Sequence, residues 1–455
     1  MYGGTSTFTD GSQAPIYDCI GIGFGPSNIA LAIALEEAGL LEGALFLEAS
    51  DEPAWQPGML MPGTDIQHHP LRDFVTPRNP CSPYGFLSYL KAHDRLLEFL
   101  NLDAPFPPRS EYANYVAWVA TKFSNSVRFA SPVWRLEPVT DRERGPVARI
   151  TTDDGAVYHA RTISFAPGRS PAIPEVFRPH VGDRIVHLND YQPSLQRWID
   201  TGDLGHVAII GGSQSAAEIV LDISGRLPDL DVTVICRSFG FKLKDVSPFT
   251  ERIYMPAFVD YFHAAGERGQ SEMFEELRRS NYGASDHDVL AALNFRLYEQ
   301  KVLGREKIQL RFNTQIEAVA PRDAGRYSLA VRDRYSRQAD RLDVDAVILA
   351  TGFRNFGDGP EREPCHPLLA QFAGFAQTRA DGGVAVGRDF ELLYAEESPE
   401  LPPVFLNGLC ESSHGFGDAG SFSLLSVRSE RIASALRDRL AAVSIPGLVT
   451  TEQRP

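Results

Sequence analysis

A glycine-rich turn at residues 23–28 has the spacing that binds the phosphates of a dinucleotide. It lies between an apolar run at 16–22 and a second apolar run that begins at Ile29. A buried strand, a tight turn and a helix in this order place free N–H groups and the positive end of the helix dipole against a pyrophosphate. The predicted contacts are Gly23, Gly25, Pro26, Ser27 and Asn28, and Asn28 stands where a third glycine is usual.

A carboxylate follows the turn at the distance that a ribose contact requires. Residues 45–47 predict a second strand, and Glu48 ends it twenty residues beyond Asn28. An acidic side chain at this position accepts a hydrogen bond from a ribose hydroxyl. A glycine turn alone is common in α/β proteins, but the turn together with Glu48 predicts a nucleotide site.

A second strand, turn and helix lie at residues 207–218. The predicted contacts there are Gly211, Ser213, Gln214 and Ser215, with Ser213 at a position that is usually glycine. The following strand, 232–236, ends at Arg237 instead of at an acid. A guanidinium at this place suits the 2′-phosphate of NADP(H), although Arg237 is also explained as an ordinary surface charge. The sequence therefore predicts NADPH in preference to NADH.

The composition argues against several classes of protein. The 455 residues suffice for two or three domains, and a net charge of −15 argues against a nucleic-acid or anionic-membrane partner. No apolar run approaches the roughly 20 residues that span a bilayer. The five cysteines are scattered without a C-x-x-C pair. This pattern argues against a disulfide framework, a metal site or a dithiol redox centre, and it suits a reducing cytoplasm.

The elements between the motifs predict an α/β fold with two dinucleotide-binding, Rossmann-like domains. Two such domains in one chain are typical of a flavoprotein that binds FAD in the first site and NADPH in the second. The predicted boundaries are 16–175 with 340–455 for the FAD-binding domain, 176–240 with 304–339 for the NADPH-binding domain, 241–303 for a small helical substrate-binding insertion, and 1–15 for a flexible tail.

Several motifs together resemble the flavin-dependent N-hydroxylating monooxygenases, which include the ornithine and lysine N-hydroxylases of siderophore synthesis. The glycine turns alone fit many flavoproteins, whereas the segments within 59–90 and 245–283 distinguish this family. The resemblance is carried by residues 59–67, 71–90, 107–115, 211–218, 245–250, 280–283, 350–353, 414–418 and 424–427.

The resemblance implies a mechanism in which NADPH reduces FAD and O₂ then forms a C(4a)-hydroperoxyflavin. An uncharged primary amine attacks this species and becomes a hydroxylamine. The expected partners are therefore a small-molecule amine and O₂, and the family often forms homo-oligomers. The site should disfavour an ammonium near the flavin, and it should anchor the rest of the substrate by complementary charge.

The resemblance also assigns individual residues. Gln67 is expected near the flavin ring, and Asn281 is expected to contact both the substrate and the nicotinamide ribose; both are candidate catalytic residues. Further expected cofactor contacts are Thr351, Gly352, Asp418 and Leu425.

The substrate pocket departs from the family pattern. Arg72 stands where the family has a Lys that holds the α-carboxylate, and Glu251, followed by Arg252, stands where Asn is usual. His68 and His69 precede Arg72, where apolar or small residues are more common. Arg binds a carboxylate through a two-pronged fork, so its exchange for Lys is not neutral.

These departures leave more than one substrate open. Convergence of Arg72, Arg252 and the histidines would suit an extra carboxylate, as in aspartate, whereas an unpaired Glu251 would suit a second ammonium. Arg72 and Glu251 could also neutralise each other. The substitutions favour an amino acid other than ornithine, such as aspartate. The alternatives are an ornithine, lysine or diamine N-hydroxylase and, more remotely, a Baeyer–Villiger-type monooxygenase.

Overall fold

The computed structural model describes residues 6–8, 15–102, 104–141, 144–281 and 283–443. Its strands are β1 (Ser6–Phe8), β2 (Ile16–Ile22), β3 (Ala44–Leu47), β4 (Val127–Arg128), β5 (Val133–Asp141), β6 (Gly145–Thr152), β7 (Val157–Phe165), β8 (Ile185–His187), β9 (His206–Ile210), β10 (Asp231–Ile235), β11 (Ile308–Arg311), β12 (Thr314–Pro321), β13 (Tyr327–Asp333), β14 (Ala339–Val344), β15 (Ala346–Leu349), β16 (Asn355–Phe356), β17 (Arg362–Glu363) and β18 (Val404–Leu406). Its α-helices are α1 (Pro26–Glu37), α2 (Phe86–Ala92), α3 (Leu96–Leu100), α4 (Arg109–Thr121), α5 (Tyr191–Thr201), α6 (Gln214–Arg226), α7 (Pro256–Ala264), α8 (Gly266–Glu276), α9 (His287–Val302), α10 (Ala370–Ala373), α11 (Glu411–His414) and α12 (Leu425–Val443).

The first glycine turn follows β2, a strand of an eight-stranded sheet. Its order is β1-β5-β6-β7-β2-β3-β4, and β18 pairs with β7 off this path. Strands β4, β3, β2 and β7 run parallel to one another. Strand β18 joins β7 in parallel, with Val404 opposite Ile163. The C-terminal part of the chain therefore returns to the sheet that positions the first turn.

Helix α1 follows the first turn and is enclosed by other elements. All its residues from Asn28 to Leu35 are buried, as expected for a helix that is apolar on every side. It shares a hydrophobic core with the first sheet and packs against α12. Gly25 is its N-cap and Pro26 its first residue. Proline suits this place because the first N–H of a helix has no intrahelical partner.

The second glycine turn follows β9, a strand of a five-stranded sheet. Its order is β11-β10-β9-β15-β8, and all of its strand pairs are parallel. Helices α5, α6 and α9 contribute to the core on this sheet. The two sheets confirm the predicted α/β class with two Rossmann-like units.

Strand β15 corrects the predicted boundary at residue 340. It lies between β9 and β8 of the second sheet, and β14 pairs with β13 in a separate three-stranded antiparallel sheet. Residues up to Leu349 therefore belong with the second unit and not with the first. A short, wholly buried apolar strand has no sequence feature that says which of two parallel sheets it joins.

The segment predicted as a helical insertion, 241–303, contains α7, α8 and α9, and α9 packs on α6.

The predicted flexible tail, residues 1–15, is described only in part. Residues 6–8 differ from the prediction, since they form β1, which pairs with β5. Residues 1–5 and 9–14 lie outside the described residues. No helix among the residues described here is both long and apolar enough to cross a membrane.

A buried ion pair joins the two sheet units. Arg109, the first residue of α4, donates from Nη1 and Nη2 to the two carboxylate oxygens of Glu218 in α6, at 3.0 and 2.7 Å. The two side chains are 8% and 3% exposed. Arg109 also donates to the carbonyl oxygens of Met59 and Asp65. One guanidinium therefore holds the 59–67 segment against the helix that carries the second glycine turn.

Replacing Arg109 with Met should lower the free energy of unfolding by about 3–5 kcal/mol, because the Glu218 carboxylate stays buried without its partner. Urea denaturation followed by circular dichroism measures this loss. The matched control is Arg268→Met, whose ion pair with Glu272 is exposed on α8; its loss should be much smaller. Equal losses in the two variants would contradict the assigned role of the buried pair.

Candidate functional site

The first glycine turn forms an open cradle at the N-terminus of α1. Gly23 has φ of +80°, and a Cβ there would lie 2.5 Å from the carbonyl oxygen of Ala166, so only glycine fits. Among the residues that the structure describes, no side chain caps α1, and apart from the adjacent residues none has an atom within 4 Å of a Cβ built on Gly25. The free N–H groups of the first helical turn thus face open space, which fits the pyrophosphate of FAD.

Glu48 lies beside this turn, at the end of β3. Its carboxylate accepts hydrogen bonds from the N–H groups of Phe24 at 2.6 Å and Ser50 at 2.9 Å. The side chain is half-buried at the edge of the cradle. Its contact with a ribose hydroxyl stays a prediction, since the oxygens are held here by backbone donors.

Asn28 supports the turn from behind through its side chain, and its expected contact with the pyrophosphate stays a prediction. It is fully buried, and its Nδ2 donates to the carbonyl oxygen of Gly23 at 2.6 Å. Its Oδ1 accepts from Ser164 Oγ at 2.6 Å and from Asn407 Nδ2 at 3.2 Å. The amide replaces the usual glycine because it joins the turn to β7 and to the chain after β18.

Arg428 is a residue of this site that the sequence reasoning missed. Its Nη2 donates to Ser27 Oγ at 2.9 Å, its Nε to Asn407 Oδ1 at 2.8 Å, and its Nη1 to Asp418 Oδ1 at 2.7 Å. Arg428 and Asp418 are each 2% exposed. The signal available in the sequence is a charge on the apolar face of α12, between Leu425 and Ile432.

Asp418 and Leu425, two expected cofactor contacts, are both buried in this region. Asp418 Oδ2 also accepts a hydrogen bond from the N–H of Cys410 at 2.6 Å. Both carboxylate oxygens are therefore engaged by the protein. The segment from 407 to 428 acts on the first turn through Ser27 and Asn28, and a direct contact of Asp418 or Leu425 with the cofactor stays a prediction.

The second glycine turn repeats the arrangement of the first. A Cβ on Gly211 would lie 2.4 Å from the carbonyl oxygen of Ala350, and one on Gly212 would lie 2.9 Å from Cys236 Cβ. Ser213 is the N-cap of α6, but its side chain does not cap the helix. The close packing explains why glycine is needed before Ser213 but not at it. The uncapped helix N-terminus fits the pyrophosphate of NADPH.

The side chains after this turn differ in their contacts. Gln214 bridges two elements: its Nε2 donates to Glu218 Oε1 at 2.9 Å and its Oε1 accepts from the N–H of Asp286 at 2.8 Å. Ser215 is half-buried in the first turn of α6. Both ends of the Gln214 amide are therefore engaged by protein groups.

Thr351 and Gly352 follow β15, next to the second turn. Thr351 Oγ1 is buried and has no hydrogen-bond partner among the residues that the structure describes. Gly352 has φ of +74°, and its carbonyl oxygen lies 2.9 Å from His187 Nε2. A buried hydroxyl without a partner is costly unless a ligand or water satisfies it, which supports a cofactor group at Thr351.

Arg237 is exposed and lies two residues after the end of β10, at the edge of the second nucleotide site. Its guanidinium pairs with the Glu361 carboxylate, and its carbonyl oxygen accepts from Arg334 Nη1 at 2.7 Å. Because an exposed ion pair is weak, a 2′-phosphate can replace the carboxylate at little cost. Two neighbouring guanidinium groups give this edge a charge that fits NADPH.

Arg72 and Glu251, the two departures in the substrate pocket, form an ion pair. Arg72 Nη1 lies 3.2 Å from Glu251 Oε2 and 3.5 Å from Ser423 Oγ. The side chains are 33% and 26% exposed, so both remain accessible. The guanidinium also lies 5.6 Å from the centre of the Tyr254 ring. The structure thus brings these two candidate residues together as neighbours of opposite charge.

His68 lies close enough to Arg72 to be affected by its charge, but it carries no charge there, and this corrects the expectation of an extra carboxylate site. Burial, with a smaller effect of Arg72 and Lys244, lowers the pKa of His68 to about 3. Its ring stacks on Phe422 at 5.2 Å. A neutral imidazole cannot hold a carboxylate by charge.

His69 and Arg252 lie at the surface and are equally unsuited to that role. His69 is exposed, and its Nδ1 accepts the N–H of Leu71. Arg252 is exposed as well. Of the residues expected to bind an extra carboxylate, Arg72 is the half-buried cation, and it is ion-paired with Glu251.

Gln67 and Asn281, the candidate catalytic residues, are held by different partners. Gln67 Nε2 donates to Asp286 Oδ2 at 2.6 Å, and Asn281 Nδ2 donates to the carbonyl oxygen of Phe416 at 3.0 Å. Tyr254, which lies against Arg72, places its hydroxyl 3.5 Å from the carbonyl oxygen of Ser280. Asn281 thus follows a residue that contacts Tyr254, while Gln67 is joined to the second glycine turn through Asp286.

The family model described as L-lysine 6-monooxygenase/L-ornithine 5-monooxygenase matches residues 15–355. The chain is 34% identical to the L-ornithine N(5)-monooxygenase of Pseudomonas aeruginosa, over 94% of this chain and 95% of that protein. It is similar in structure to the reduced ornithine hydroxylase of the same organism, with a TM-score of 0.84 and 33% identity, over 94% of this chain and all of that one. A Kutzneria ornithine N-hydroxylase with reduced FAD, NADP⁺ and L-ornithine gives a TM-score of 0.85 at 29% identity, over 94% of this chain and all of that one.

Replacing Arg237 with Ser should weaken NADP⁺ binding by roughly 10- to 100-fold, because a charge-assisted contact to the 2′-phosphate is lost. NAD⁺, which lacks that phosphate, should bind as before. Equilibrium titration with each nucleotide measures both affinities, and Arg268→Ser is the matched exposed control. A parallel loss of NAD⁺ and NADP⁺ affinity would contradict the assigned role of Arg237.

Proposed function

The chain belongs to the L-lysine 6-monooxygenase/L-ornithine 5-monooxygenase family, and on this premise we propose that it N-hydroxylates the side-chain amine of L-ornithine or L-lysine. It is a flavin-dependent N-hydroxylating monooxygenase that uses FAD and NADPH. The relatives reported above are ornithine enzymes and do not support the aspartate interpretation, so the ornithine or lysine alternative takes its place. The Baeyer–Villiger alternative is likewise set aside.

The ion pair between Arg72 and Glu251 is the observation that carries the choice of substrate. The head group of an α-amino acid is itself a pair of opposite charges, an α-carboxylate and an α-ammonium. Arg72 uses Nη1 for Glu251 and Ser423, and a carboxylate can approach the rest of its fork. The Glu251 carboxylate then accepts from the α-ammonium. The pair is thus complementary to the zwitterionic head in both signs.

Other amines match this pair less well. Aspartate would bring two carboxylates to a single half-buried guanidinium that already faces Glu251. A diamine would have no carboxylate for Arg72 and would place an ammonium near the guanidinium, where like charges repel. Ornithine and lysine alone in this set present one carboxylate, one α-ammonium and a distal amine.

The bound cofactors supply the reduction of O₂ and the transfer of one oxygen atom, and the residues of this chain bind and orient the reactants. The first turn and Glu48 would hold FAD, and the second turn, Thr351 and Arg237 would hold NADPH. His68 is not a base for the substrate amine, because a pKa of about 3 makes its imidazole too weak a base to take a proton from an ammonium. Its ring contributes an aromatic wall with Phe422 and Tyr112.

We further propose that the chain forms a homo-oligomer. Helix α9 exposes one apolar face formed by Phe295, Tyr298 and Val302, which are 67%, 68% and 67% exposed. Their spacing places them on the same side of the helix, and exposed apolar patches of this kind mark association surfaces. The molar mass in solution, against 50.2 kDa for one chain, tests this.

Turnover of ornithine, lysine, aspartate, putrescine and cadaverine tests the proposed substrate. We expect ornithine or lysine to gain one oxygen atom with little peroxide, as measured by mass spectrometry together with NADPH and peroxide accounting. Preferential oxidation of aspartate or of a diamine would contradict the proposal.

Replacing Glu251 with Gln tests the role of the pair within that reaction. The substitution keeps the shape but removes the charge that faces the α-ammonium. KM for ornithine or lysine should rise by roughly 10- to 100-fold, with a smaller effect on kcat, because the lost contact anchors the substrate without touching the reacting amine. Glu272→Gln, on the exposed face of α8, is the matched control. An unchanged KM would show that Glu251 does not face the substrate.

A further inference from the structure

Asp286 is the N-cap residue of α9, but its carboxylate does not cap that helix. Its backbone is extended, with φ of −68° and ψ of 153°, and the first turn of α9 receives no hydrogen bond from the side chain. Asp is favoured at an N-cap because its carboxylate accepts the free N–H groups of the helix. The carboxylate of Asp286 has therefore been drawn away from its usual local partner.

The carboxylate of Asp286 is bound instead by Gln67, which lies 219 positions away in the sequence. Asp286 Oδ2 accepts from Gln67 Nε2 at 2.6 Å. Lys244, which is 9% exposed, lies with its Nζ 3.7 Å from Asp286 Oδ1 and 3.4 Å from the carbonyl oxygen of Gln67. Burial raises the pKa of Asp286, and the Lys244 charge opposes this effect and favours the ionised carboxylate.

An ionised carboxylate only accepts hydrogen bonds, and this fixes the orientation of the Gln67 amide. Gln67 must turn its NH₂ group toward Asp286, so its oxygen faces the opposite way. An Asn in place of Asp286 could donate as well as accept, and the Gln67 amide could then turn around. The charge of Asp286, and not only its size, is what selects one orientation.

Asp286 is also bound to the second glycine turn. Its N–H donates to Gln214 Oε1 at 2.8 Å, and Gln214 N–H donates to the carbonyl oxygen of Ala284 at 3.3 Å. Gln214 in turn donates to Glu218, the partner of Arg109. The same short segment thus contacts Gln67 through a side chain and the start of α6 through its backbone.

We propose that Asp286 is a positioning residue for oxygen transfer, which orients the Gln67 amide and fixes that orientation relative to the second nucleotide site. The inference rests on the proposed function and on the expectation, from the family resemblance, that Gln67 lies near the flavin ring. In the productive reaction NADPH, H⁺, O₂ and the amine R–NH₂ give NADP⁺, H₂O and R–NHOH. When Gln67 is misoriented, NADPH, H⁺ and O₂ give NADP⁺ and H₂O₂ without oxidising the amine.

Asp286→Asn in the FAD-loaded protein tests this, with Asp288→Asn as the matched control. Asp288 lies in the first turn of the same helix and is exposed, so its variant removes an equal charge without touching Gln67. Hydroxylamine formed per NADPH should fall by about tenfold or more in Asp286→Asn, since small misplacements of reacting groups are costly. The ratio should be unchanged in Asp288→Asn.

A double variant separates positioning from general destabilisation. If Asp286 acts through Gln67, the double variant Gln67→Ala/Asp286→Asn should form as much hydroxylamine per NADPH as Gln67→Ala alone. The visible circular dichroism of the bound flavin, which needs no turnover, should change in Asp286→Asn toward that of Gln67→Ala. Additive losses in the double variant, or wild-type flavin spectra in Asp286→Asn, would overturn the assignment.

The outcome is distinguishable from a failure of the proposed function. If the wild-type protein hydroxylates none of the amines tested, the substrate proposal fails, while the flavin spectra of the same variants still decide the role of Asp286. Equal loss of coupling in Asp286→Asn and Asp288→Asn would also overturn it, because the effect would then belong to the charge of the helix N-terminus.

Discussion

The buried ion pair between Arg109 and Glu218 fixes the two sheet units of the molecule to each other at the place where chemistry is expected. Each charge is desolvated, so each requires the other, and the two-pronged geometry allows little rotation between α4 and α6. Arg109 also holds the backbone of the 59–67 segment. Gln67 therefore lies at the end of a segment whose position depends on the second unit as well as the first.

From this pair a line of hydrogen bonds runs through Gln214 and Asp286 back to Gln67. The line passes through groups from all three parts of the protein: the first sheet unit, the start of α6 and the helical insertion. A similar construction holds the first glycine turn, where Arg428 joins Ser27 to the buried Asp418. Both turns are thus supported by side chains from distant parts of the chain. The starts of α1 and α6 receive no side-chain cap, which fits the binding of phosphate there.

Much of this could be predicted from the sequence, because it follows local rules. A strand, a glycine turn and a helix in order predicted both nucleotide sites, and the uncapped starts of α1 and α6 have the expected form. The motifs between residues 59 and 90 predicted the family. What could not be predicted are contacts between residues far apart in the chain. Arg428 with Ser27, Arg109 with Glu218, and Asp286 with Gln67 are of this kind, and no spacing rule pairs them.

The substrate pocket shows the same limit. The sequence shows Arg72 and Glu251 as two departures from the family pattern, but the choice among substrates depends on which charges meet. Their ion pair, the neutral His68 and the exposed Arg252 together remove the basis for a second carboxylate site. One half-buried pair of opposite charge remains, and it matches the head group of a single amino acid.

A crystal structure of the FAD-loaded protein with NADP⁺ and L-ornithine would test this account most directly. The account predicts the α-carboxylate of ornithine within hydrogen-bonding distance of the Arg72 guanidinium, about 2.7–3.2 Å, and the α-ammonium at the same distance from the Glu251 carboxylate. An ornithine whose head group lies away from both side chains, with the Arg72–Glu251 pair unchanged beside it, would contradict the account.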